Sequence, residues 1–191
     1  MKRLALLVIA LAACFAQDQT QEPTYEKTQK WIVAKLSEGG YTRVSKITRE
    51  TSSYDKISMD DCRLLYTETE FYSISSEVPS GTLTSETTTK SEVAIPLDKV
   101  GASDIAVKHD VNRPLGRDEW SVNINSRVGT IKMIETERGV VGEKIKNYSN
   151  LGAEIIFGRS PTTDEDTANR VKKALSHAVD LCKKMKEKEP F

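Results

Sequence analysis

The sequence predicts an α+β domain, mainly β, with a helix at each end. Three observations carry this. Trp120, Val122 and Ile124 alternate with Ser121, Asn123 and Asn125, the period of a half-buried strand. Residues 67–91 hold thirteen Ser or Thr in twenty-five positions, and Thr suits half-exposed antiparallel strands. Ala168, Val171, Leu175, Ala178, Cys182 and Met185 recur at steps of three and four, which is a helix with one apolar stripe.

The elements follow in order. Residues 1–16 have the three-part layout of a secretory signal: positive Lys2-Arg3, an uncharged apolar run from Leu4 to Ala13, then small residues. The run is too short to cross about 30 Å of hydrocarbon as a helix. A cut after Ala16 is the first reading. Its alternative takes Leu11-Ala12-Ala13-Cys14 as a lipobox, with lipid-modified Cys14 anchoring the chain to a membrane. Both readings place the domain in an exported compartment, the bacterial periplasm or beyond. Residues 17–24 read as a linker, and 25–191 as a single domain.

Thr24 caps a short helix from Tyr25 to Ser37, with Trp31, Ile32 and Leu36 on one face and Gly39-Gly40 as its stop. Tyr41 to Thr48 is a weak strand. Cys62, Leu64 and Tyr66 alternate toward Ile74, Pro79-Ser80-Gly81 makes a turn, and Val93, Ile95 and Leu97 continue the second arm. Ile105 and Val107 mark a further strand before the one at Trp120. Arg127-Val128-Gly129 turns into Thr130–Thr136, 137–150 reads as a polar loop, and Ala153 to Gly158 closes the series. The last helix runs over about 163–187. Thr162 and Glu165 form a capping box, Asp164, Glu165 and Asp166 sit at its positive end, and Lys183, Lys184, Lys186 and Lys188 at its negative end.

Composition narrows the function. The chain of 191 residues balances 28 basic against 28 acidic side chains, so a nucleic-acid binder working through a broad basic field is excluded. Removing residues 1–16 takes Lys2 and Arg3 and leaves the remainder slightly acidic. Of three Cys, Cys14 is removed or lipidated, which leaves Cys62 and Cys182. An even pair in an exported protein is the arithmetic of one disulfide; two separate buried thiols are the alternative. A bridge would close a loop of about 120 residues and restrict the unfolded chain by roughly 4–5 kcal/mol.

Catalytic and metal chemistry finds little footing. His109-Asp110 can pair a base with an orienting acid, but nothing nearby reads as their nucleophile. His177 reads as a packed or surface imidazole on the last helix. Gly139-Val140-Val141-Gly142-Glu143-Lys144 lacks the spacing of a phosphate loop. Asp60-Asp61 and Asp164-Glu165-Asp166 lack the spacing of a calcium loop. Asn147-Tyr148-Ser149 fits a glycosylation sequon. No catalytic residue, cofactor or metal is expected.

Helix, about seven antiparallel strands and a closing helix resemble the pleckstrin-homology-like barrel. Val93-Ala94-Ile95-Pro96-Leu97-Asp98-Lys99-Val100 before Ile105-Ala106-Val107 resembles a strand-to-strand step of such domains. Residues from Arg170 to Cys182 resemble the closing helix of small exported bacterial domains of this type. The likeness spans most of 25–188. Lipid-binding members cluster Lys and Arg in the first strand–loop–strand. Here Arg43, Lys46, Arg49 and Lys56 alternate with Glu50 and Asp55, so that chemistry does not transfer. The expectation is an exported, non-enzymatic binding or scaffold module for a protein or apolar ligand. A membrane-anchored envelope lipoprotein is the alternative, and a hydrolase using His109 is a remoter one.

Overall fold

The computed structural model describes residues 23–78, 81–112, 117–126, 131–139, 142–158 and 161–188. The export signal with Cys14 and Ala16, most of the linker, and the turn residues Pro79-Ser80 and Arg127–Thr130 lie outside the described residues. So do the side chains of residues 161–163, including the Thr162 of the expected capping box.

The class is α+β, with two α-helices and one large sheet among the described residues. Helix α1 (Tyr25–Leu36) starts where Thr24 Oγ1 accepts from the Lys27 amide, 3.4 Å away. Gly40, at φ +106, turns the chain out of it. Strands β1 (Gly40–Val44), β2 (Thr48–Asp60), β3 (Arg63–Val78) and β4 (Gly81–Pro96) follow as a meander. Two 3-10 turns, Leu97–Lys99 and Ala102–Asp104, lead to β5 (Ile105–Asn112) and β6 (Arg117–Asn125). Strands β7 (Ile131–Gly139), β8 (Gly142–Asn150) and β9 (Gly152–Gly158) precede helix α2 (Pro161–Lys188).

The sheet corrects the expectation of about seven strands in a barrel. Among the described residues nine strands lie in the order β5-β6-β9-β1-β2-β3-β4-β7-β8, and the sheet is open, with β5 and β8 at the ends of that order. Nor is it wholly antiparallel, because β9 runs parallel to β1 over Gly40↔Phe157 and Tyr41↔Gly158. Residues 48–60, to which the sequence assigns no separate element, form a long strand that carries a register shift between Asp55 and Ser58, and Lys56 there adopts φ +48. Residues 137–150 are the end of β7 and all of β8, joined at Gly139↔Gly142, rather than a loop. Their polar character reflects an exposed edge strand guarded by Lys144 and Lys146.

Helix α2 lies over β5, β6 and β9 and completes the core. Ala168, Val171, Leu175, Ala178 and Cys182 are fully buried, as their spacing predicts, and Val179 joins them. Met185 does not: it is 45% exposed, so the stripe ends at Cys182. Opposite stand Ile105, Val122, Ile124, Ile155 and Phe157.

Cys62 and Cys182 pair as a disulfide, with Cα atoms 5.6 Å apart. Cys62 is not a strand residue, though. It is the second of two turn residues between Asp60 and Arg63, with φ +47 at Asp61 and +58 at Cys62. That is the backbone of a tight hairpin turn that usually carries Gly or Asn. The bridge therefore ties the tip of the β2–β3 hairpin to the last helix.

Candidate functional site

The principal cavity among the described residues is a groove of about 540 Å³ between α1 and α2. Helix α1 contributes a row about one turn long and α2 a row about two turns long. From α1 come Lys27, Thr28 and Trp31; from α2 come Arg170, Lys173, Ala174 and His177. Both rows use steps of three and four, which bring side chains to one helix face. Trp31 and Ala174 form the apolar floor, and Pro23 closes one end.

Charge in the groove is one-sided. Lys27, Arg170 and Lys173 line it, and no carboxylate among the described residues does. The Arg170 guanidinium stands 5.3 Å from the centre of the Trp31 ring, within the range of cation–π attraction. Asp166, one turn earlier on α2, lies 3.6 Å from Arg170, but both side chains are well exposed and such a pair contributes little. His177 Nε2 lies 2.9 Å from the Pro23 carbonyl, a hydrogen bond that fixes the chain's entry into α1. The most telling atom is Thr28 Oγ1. Thr28 is only 5% exposed, and its hydroxyl has no hydrogen-bond partner among the described residues. A buried polar group without a partner is costly unless something else satisfies it.

A second feature is a polar trough on the concave face of the sheet. Ser121 and Asn123, expected to face solvent, face this trough instead, and Ser121 is buried. Ser121 Oγ donates to Glu154 at 2.6 Å, and Asn123 donates to both. Ser52 Oγ donates to Glu68 at 2.9 Å, and the Ile156 amide donates to Tyr54 Oη at 2.9 Å, across from β9 to β2. Tyr41 Oη reaches Glu70 at 3.3 Å. Arg43 sits at the head of the trough, stacked on Tyr41 at 3.8 Å, bonded through two nitrogens to Glu119 and through a third to Glu50 at 2.9 Å. Gly158 makes room for this: a Cβ there would come within 2.7 Å of Glu119 and 2.9 Å of Tyr41.

The trough has an electrostatic consequence. Burial, followed by the charges of Glu70 and Glu154, pushes the Glu68 carboxyl up to about 7, despite hydrogen bonds from Ser52 and Tyr54. In the unfolded chain it titrates near 4.5. The folded state therefore holds a proton that the unfolded state has lost over that interval, and stability falls as pH rises from 4.5 to about 7. Glu68→Gln should remove that slope and stabilise the protein by about 1–3 kcal/mol at pH 7.5, with little change at pH 4.5. Urea unfolding at both pH values measures it; a variant that keeps the full slope assigns the effect to other groups.

His109 does not pair with Asp110, which faces the trough from the other side of β5. His109 Nε2 instead meets Asp118 Oδ1 at 2.8 Å, and its ring stacks on Trp120 with centroids 4.1 Å apart. No Ser or Thr hydroxyl bonds to it among the described residues. His177, expected as a packed or surface imidazole, is half-buried beside Pro23. Asp60 accepts a hydrogen bond from Gln29, Asp164 is buried at the start of α2, and Glu143 pairs with Arg138 across the β7–β8 hairpin. The glycosylation sequon 147–149 lies on edge strand β8.

No protein-family model, curated protein or solved structure matches the chain. The groove and its chemistry are therefore the basis for a functional reading. Sequence reasoning placed Trp31 and His177 on their helices but did not bring them together. The signal was there in two rows of the same period, 27-28-31 and 170-173-174-177.

Proposed function

We propose that the protein is an exported, non-enzymatic binding module whose ligand site is the groove between α1 and α2. A pleckstrin-homology-like frame, with the sheet holding and α2 closing it, is part of the same proposal. So is export through residues 1–16, with anchoring at Cys14 as the alternative route to the same compartment. No helix among the described residues is long and apolar enough to cross a membrane.

The observation that carries the reading is the groove's construction: an indole and an alanine from two facing helices, bordered by Lys27, Arg170 and Lys173. A volume of about 540 Å³ lies within the range of small-molecule sites, and an apolar floor with few polar groups is their usual lining. The disulfide holds α2 to the hairpin tip, and the His177–Pro23 bond holds α1 to α2, so both walls are positioned before a ligand arrives.

A neutral apolar dye, N-phenyl-1-naphthylamine, tests this without reference to charge. Its emission should rise on binding to the wild-type protein. Ala174→Trp, which fills the floor, should weaken that binding at least tenfold while leaving thermal unfolding in place. Equal binding by both proteins would put the apolar site elsewhere.

A further inference from the structure

We infer that the ligand of this groove is a small carboxylate with an apolar body; the inference rests on the groove being the binding site. Three cations from two helices converge on it, and no carboxylate among the described residues lines it. Nothing in the chain's overall charge requires this, since basic and acidic residues balance across it. Of the seven other basic residues on these helices, three are ion-paired among the described residues. Lys30 pairs with Glu26 at 2.7 Å, Lys35 with Glu38 at 2.8 Å, and Lys186 with Asp98 at 2.7 Å. Lys27 and Lys173 have no ion-pair partner among the described residues, and Arg170 has only the exposed contact to Asp166.

The three polar functions suit one carboxylate. Arg170 offers a planar fork that can hold both oxygens at once. Lys27 and Lys173 approach as compact charges from opposite helices. The body of the ligand then lies on Trp31 and Ala174. The guanidinium over the indole turns the polar and apolar halves of the groove into one continuous surface. A cationic amphiphile would meet three like charges. A neutral one would leave them unpaired. A small molecule fits better than a protein partner, because the groove is only about one helical turn long on the α1 wall and two on the α2 wall.

The experiment is a competition against N-phenyl-1-naphthylamine in the wild-type protein, with decanoate, decanol and decyltrimethylammonium as a matched series. Decanoate should displace the dye at least tenfold more effectively than decanol, the cation should be weakest, and added salt should narrow the gap. In Arg170→Gln/Lys173→Gln, decanoate and decanol should become equal competitors, each compared with the dye affinity measured for that variant. Equal competition by decanoate and decanol in the wild type would overturn the carboxylate while leaving the groove as the site. Failure of the dye itself to bind at Ala174 would overturn the groove, and the carboxylate with it.

Discussion

Reduction of the Cys62–Cys182 bridge should lower the unfolding free energy by about 4–5 kcal/mol, because it frees a loop of 120 residues in the unfolded chain. That is a large share of the total stability of a domain this size. Urea unfolding with and without reductant measures it. The turn at Cys62 adds a second, separable effect. With φ at +58, an L side chain there costs roughly 1 kcal/mol that glycine does not. In a Cys182→Ala background, Cys62→Gly should therefore be more stable than Cys62→Ala by about that amount. Identical unfolding midpoints before and after reduction would show that the bridge does not form.

Arg43 carries the other large effect. Its guanidinium is held by Glu119 and Glu50, and Glu119 is only 6% exposed. Arg43→Met strands that buried carboxylate and should cost about 3–5 kcal/mol. Arg43→Lys should recover only part, since a single ammonium cannot replace a fork that spans two carboxylates. Pairing Arg43→Met with Glu119→Gln should recover much of the loss, giving a coupling of well over 1 kcal/mol in a double-mutant cycle. Additive losses would mean that Arg43 stabilises through Tyr41 and Glu50 rather than through Glu119.

How far the sequence could be read depended on which force placed each residue. Burial leaves a periodic trace. Val122 and Ile124 on β6, and Ala168 through Cys182 on α2, were legible because each repeat matches its element and each residue meets the core. Cysteine parity gave the bridge, although not the left-handed turn at Cys62, which no local signal marks. Residues 48–60 and 142–150 were harder. Along 48–60 only Ser52, Tyr54 and Met59 are buried, and along 142–150 every described side chain is exposed, so alternation of polarity has little to report. The polar residues of β6 were read correctly in period and wrongly in direction. Ser121 and Asn123 face an inner surface that exists only because β2 and β3 come round to β9, a non-local arrangement. The groove was invisible for the same reason. Lys27 and Arg170 are 143 positions apart, and each alone looks like an ordinary solvated helix face.

The groove is tested most directly by nuclear magnetic resonance of the nitrogen-labelled protein titrated with decanoate. The chain has two indoles, Trp31 in the groove and Trp120 stacked on His109 at the far strand pair, which makes an internal control. The expected result is a saturable shift of the Trp31 indole and of the amides of Thr28 and Ala174, with the Trp120 indole unmoved. Shifts centred on Trp120 or on the trough around Glu68 and Glu154, with Trp31 unchanged, would contradict it.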